Sequence, residues 1–156
     1  MNGEGDLPPR SWSRAAAWMR PFDELAVGER YVSKRRTVTE TDVVAFAGLC
    51  GEMNAAHGDP TRFGAGAYDG PTAPDLLPLA YSIGLVPNRC IRALRRIIDL
   101  ELLTPARPGD TLHVEAKISH LEPWTEDYGL VTGRWRILNQ RKEILTTVDL
   151  EAVWTR

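Results

Sequence analysis

The sequence is short of most features that would announce a function on their own. It has two cysteines, Cys50 and Cys90, too few for a disulfide framework or a cysteine metal cluster. Cys50 sits in an apolar run, so the expectation is a buried, reduced thiol. Lysine and arginine (19) do not outnumber aspartate and glutamate (21), and the formal net charge is -2. That leaves no global basic excess to hold a nucleic acid backbone and no acidic tail. No apolar run approaches the roughly 20 residues that span a bilayer. The first residues, "MNGEGDLPPRSWSR", lack the basic-then-apolar order of a secretory signal. The expected location is the cytoplasm. There is no phosphate loop, nucleophile elbow or dinucleotide fingerprint, no cofactor motif and no metal-ligand spacing. Histidine occurs three times, at His57, His113 and His120.

What is present fits one soluble domain. The 156 residues suffice for a real core, and 43% hydrophobic against 26% charged residues is an ordinary globular balance. Residues 1–20 read as a mobile N-terminal extension, rich in Gly, Pro and Arg. Trp12 and Trp18 argue that part of it docks, on its own domain or elsewhere. Residues 21–156 read as a single domain.

"FDELAVGERYVSKRRTVT" (22–39) reads as a turn at Gly28 and then a polar strand. Thr39 opens "TETD", a capping box closed by Asp42. The helix that follows has Val43, Phe46, Ala47 and Cys50 on one face and stops at Gly51. Residues 58–70 read as an irregular loop. "PTAPDLLPLAYSIGLV" (71–86) is apolar nearly all round, which predicts a helix buried on every side, with a bend at Pro78 if it starts near Pro74. Four strand-like runs follow: "IRALRRIIDLELL", "TLHVEAKISHL", "YGLVTGRWRIL" and "EILTTVDLEAVW". Leu112, Val114, Ala116 and Ile118 share one face of the second run, and His113 falls on the wet one. Val131, Trp135 and Ile137 share a face of the third. Ile144, Val148, Leu150, Ala152 and Trp154 share a face of the fourth. Period two with one wet face predicts a four-stranded antiparallel meander. Its dry face must be covered, and the apolar helix is the available cover. The expected fold is α+β, a curled antiparallel sheet wrapped around a central apolar helix.

The stretch "GEMNAAHGDPTR" (51–62) lies between the two helices and gathers Glu52, Asn54, His57 and Asp59. With "TVTETDVVAFAGLC" before it, and with "LLTPARPGDTLHVEAKI" (102–118) and "ILNQRKEIL" (137–145), it resembles the MaoC-like hot dog family of (R)-specific enoyl-thioester hydratases and dehydratases. The family's loop pattern is Asp-x-Asn-Pro-x-His-x-Asp. Here Asn54, His57 and Asp59 match it, Glu52 replaces the first Asp, and Ala55 the Pro. The family's Ala-His-Gly at the start of the central helix reads Ala73-Pro74-Asp75.

The resemblance implies a hydro-lyase that dehydrates a β-hydroxyacyl thioester or hydrates the enoyl one, without a cofactor. It makes His57 the acid/base and Glu52 the partner carboxyl, and it puts the N–H of Asp75 on the thioester oxygen. Asn54 and Ala73 would line the substrate. Arg92 and Arg95, in the basic run "NRCIRALRR" (88–96), would meet the phosphates of coenzyme A or an acyl carrier protein. The altered helix start suggests an unusual acyl chain, of polyketide type. A thioesterase on the same fold, and a non-catalytic subunit of a heteromeric dehydratase, are the rival readings. A homodimer joined edge to edge, with neither nucleic acid nor membrane as partner, completes the expectation.

Overall fold

A computed structural model describes residues 12–13, 17–52 and 70–156. The long strands carry the architecture. They are β4 (Ile91–Leu102), β5 (Thr111–Pro123), β6 (Tyr128–Leu138) and β7 (Ile144–Thr155), one for each of the four runs. Three short strands add to them: β1 (Trp12–Ser13), β2 (Arg30–Val32) and β3 (Arg36–Thr37). The sheet runs β1-β2-β5-β6-β7-β4, with β3 pairing β5 off that path. Only β1 and β2 are parallel; the other pairings are antiparallel.

That order corrects the expected meander. Strands β5, β6 and β7 do follow one another, but β4 pairs with β7 rather than β5. The chain leaves β4 at one end of the long-strand sheet and re-enters at the far side as β5. Hydrogen bonds from Leu103 N–H (2.9 Å) and Thr104 N–H (3.2 Å) to the Leu145 carbonyl hold the exit. β4 is therefore an edge strand. It is exposed along most of its length, Leu94, Ile97, Ile98 and Leu102 included.

Helix α1 (Glu40–Cys50) starts as the sequence predicts. Thr39 Oγ accepts from Asp42 N–H at 3.1 Å, and Asp42 Oδ2 accepts from Thr39 N–H at 2.9 Å. Val43 and Ala47 face the core and Phe46 packs beside them, but Cys50 is exposed rather than buried. It occupies the last helical position, one residue before the chain turns away. Helix α2 (Leu77–Leu85) is shorter than the apolar run. It starts at Leu77, which puts Pro78 in the first turn, where a missing N–H breaks no helical bond; no bend is required. Nor is it buried all round. Leu77, Pro78, Leu79 and Ser82 are buried, whereas Leu76, Ala80 and Ile83 are exposed, because the sheet covers one side only in a single chain.

The larger core cluster lies between α2 and the inner face of β5, β6 and β7. Trp18, Phe22, Leu25 and Tyr31 belong to it. Trp18 precedes the expected domain start at residue 21, yet it is 1% exposed. Cys90 Sγ donates to the Met19 carbonyl (3.1 Å) and Trp154 Nε1 to the Arg20 carbonyl (2.8 Å), which stitches residues 18–20 to the body. A second cluster, including Val38, Val43, Leu77, Ala106, Leu112 and Leu145, ties α1 to the start of α2.

Candidate active site

Helix α1 ends where "GEMNAAHGDPTR" begins. Gly51 takes a left-handed backbone (φ 69°), which glycine adopts without strain. Glu52 N–H reaches back to the Ala47 carbonyl at 2.9 Å, the long bond of a Schellman ending. The backbone of Glu52 is thus fixed to the end of α1, with its side chain half-buried. His57, Asn54 and Asp59 lie outside the described residues, as does most of the loop read over 58–70.

The chain returns at Gly70 and runs into the turn before α2. Thr72, Ala73 and Pro74 are buried, and Ala73 N–H donates to the Ala106 carbonyl at 2.7 Å. That bond anchors the entry of α2 to the β4–β5 connection. The Pro74 carbonyl accepts from Leu77 N–H (2.9 Å), closing the turn that carries Asp75. Asp75 is exposed at the rim of a cavity of about 220 Å³, together with Pro78, residues 102–106, Leu145 and Thr146. A second, mostly apolar cavity of about 80 Å³ lies at the other end of α2, among Trp18, Ile83, Trp135 and Trp154.

Arg92 and Arg95 line neither cavity. Both are exposed on β4, and the Arg95 guanidinium is committed to Glu151, which is 6% exposed, at 2.6 Å. Its carbon also lies 5.5 Å from the Trp124 ring centre. His113, expected on the wet face, is 9% exposed. Ser33 N–H bonds the Val114 carbonyl (2.9 Å) and Val114 N–H bonds Ser33 Oγ (2.8 Å), so the chain between β2 and β3 runs beside β5 there. Burial first, then the Arg35 charge, holds the imidazole below its usual range, and its buried Nδ1 has no partner.

An electrostatic cluster that the sequence did not disclose joins the two helices. The Arg36 guanidinium lies 3.8 Å from the Tyr81 ring centre and pairs with Asp42 at 3.1 Å. The Thr39 N–H, then a hydrogen bond from Tyr81, pull the Asp42 carboxyl down to about 2. Burial and the bond to Asp42 push Tyr81 up to about 12. A carboxyl depressed by folding adds stability above its ordinary value of 3.8 and loses it as pH falls towards 2. Asp42→Asn is therefore expected to lower the thermal midpoint at pH 7. Between pH 4 and 2 the variant should lose less stability than the parent, as followed by circular dichroism.

Comparison with known proteins places this arrangement. The model of the MaoC like domain matches residues 23–134. Protein MaoC of Klebsiella aerogenes is 29% identical over 96 residues, 60% of this chain; the chain spans only 29% of that protein's length. A MaoC-like dehydratase from Rhodospirillum rubrum has a TM-score of 0.75 at 29% identity, covering 88% of this chain and 97% of the other. A monoamine oxidase regulatory protein from Archaeoglobus fulgidus reaches 0.80 at 28%, over 88% and 95%. An (R)-hydratase from Pseudomonas aeruginosa shares the fold, with a TM-score of 0.70 at 22% identity over 86% and 84%. The chain belongs to the MaoC-like dehydratase family and has its hot dog fold.

Proposed function

We propose that the protein is a hydro-lyase that interconverts a β-hydroxyacyl thioester and its enoyl thioester. The observation that supports this best is the polar cavity under the first turn of α2, with Asp75 at its rim and the anchored Ala73 behind it. The Asp75 N–H stands in the turn just before α2, near the positive end of the helix dipole, and suits a thioester oxygen on which enolate charge develops. In the dehydration direction, His57 takes the proton from the carbon next to the thioester. The electron pair becomes the enolate, whose oxygen the Asp75 N–H holds, and it returns to expel the β-hydroxyl, which takes the proton that His57 carries and leaves as water. Glu52 holds that water. Ala73 borders the bound thioester and Asn54 ties the loop. Hydration runs the same steps backwards, and the group near neutral pH that suits both directions is a histidine.

The thioester carrier is coenzyme A or an acyl carrier protein. The Pro74-Asp75 departure favours an unusual acyl chain, of polyketide type. A second copy of the chain is the proposed cover for β4, whose exposed Leu94, Ile97, Ile98 and Leu102 are costly to leave in water.

The test follows crotonyl-coenzyme A with the purified protein. Loss of the enoyl absorbance without release of free thiol is expected. Thiol release would replace this reading with hydrolysis. Activity that appears only on adding a second subunit would make the chain a partner rather than an enzyme by itself.

A further inference from the structure

The cavity under α2 contains one buried polar side chain that the steps above leave unused. Thr146 lines it and is 1% exposed. The neighbouring Thr147 hydroxyl is tied to Glu101 Oε2 at 3.2 Å. The backbone accounts for where Thr146 stands. Ile137 of β6 faces Thr146, but the next residue, Leu138, faces Ile144, so Leu145 is one residue too many. This bulge is held by the bonds from Leu103 and Thr104 to the Leu145 carbonyl. Bulges re-aim side chains and cluster beside active sites. Here the extra residue lets Leu145 join the cluster under α1 while Thr146 still lines the cavity.

A hydroxyl on the wall of a cavity is a donor that an acceptor entering with a ligand can satisfy. Asp75 and Thr104 are exposed at the rim, so Thr146 brings the buried hydroxyl of this cavity. We propose that the Thr146 hydroxyl donates a hydrogen bond to the carbonyl oxygen of the bound acyl thioester, alongside the Asp75 N–H. The inference rests on the hydro-lyase reading of the same site. The carbonyl is the one strong acceptor beside the reacting carbons of such a substrate. Negative charge grows on it as the enolate forms, so a donor there counts for more in the transition state than in the ground state. Thr146 keeps its proton throughout.

Thr146→Val removes the hydroxyl and keeps the branched shape; Thr146→Ser keeps the hydroxyl. With crotonyl-coenzyme A, the valine variant is expected to lose roughly 100-fold in kcat, the cost of one such donor, with KM and thermal midpoint little changed. The serine variant should recover most of that loss. A valine variant with parental kcat, or a serine variant as slow as valine, would overturn the assignment. Were the parent protein to hydrate nothing, binding of the unreactive butyryl-coenzyme A by calorimetry decides it. Valine should then weaken Kd roughly fivefold, about the worth of one hydrogen bond. An unchanged Kd, or no binding by the parent, rejects the role.

Discussion

Replacement of His57 by alanine is expected to lower kcat for hydration of crotonyl-coenzyme A by roughly 10²–10⁴-fold, the usual contribution of a positioned acid/base. The size follows from the chemistry. The carbon next to a thioester holds its proton too tightly for water to remove, and the base has to be in place before the enolate forms. KM should change little, because an imidazole that moves a proton need not bind the ground state more tightly than the transition state. The thermal midpoint, measured alongside, checks that the fold is kept. His57→Gln, which keeps a polar side chain but cannot carry a proton at neutral pH, should be as slow as alanine. Glu52→Gln is the informative companion. Its backbone is held by the bond to Ala47, so the substitution changes the carboxylate at a fixed start of the loop. A His57→Ala protein that hydrates at the parental rate would remove His57 from the mechanism. The reaction would then need another base.

How much could be read from the residues depended on the range of the interactions. Local signals were reliable. Thr39 and Asp42 form their box because the partners are three residues apart, and Gly51 ends α1 because only its own φ is involved. Period two found β5, β6 and β7, since each face reports its own burial. Pairing between strands was not legible. β4 carries apolar and charged residues without clean alternation, and nothing within it says that its partner is β7. The start of α2 was ambiguous because Pro74 and Pro78 can each occupy a first turn, and the choice of Leu77 is made by packing against Val38, Val43 and Leu112. His113 was misjudged because its cover comes from the segment around Ser33, far away in sequence. The loop motif singled out Glu52 and His57 as candidates, and the expected helix start singled out Asp75. Thr146 carried no signal at all: a threonine in a strand reads as a β-former, and the bulge at Leu145 exists only once β6 and β7 are paired.

The largest expected effect on stability lies at Trp18, which stands outside the residues matched by the family model. Its ring meets Trp154 edge-on with centres 6.2 Å apart and Tyr31 at a tilt with centres 5.5 Å apart. Trp154, near the end of β7, also lies beyond that match, so two segments outside it close this end of the sheet on each other. Trp18→Ala removes a fully buried indole beside a cavity that already measures about 80 Å³, so the gap it leaves adds to one already there. The expected cost is about 3–5 kcal/mol, a large part of the stability of a domain this size. It would be measured as a lower urea midpoint with an unchanged slope. Trp18→Phe is expected to cost much less. It keeps an aromatic ring against Trp154 and Tyr31 and removes an indole N–H that is buried without a partner, which by itself opposes folding. The pair of variants separates two roles. If alanine costs less than about 1 kcal/mol, below the range for a buried tryptophan, residues 17–20 only lie on the core. A large cost for alanine and a small one for phenylalanine make Trp18 the wedge that holds α2 and β7 apart and keeps the apolar cavity open between them.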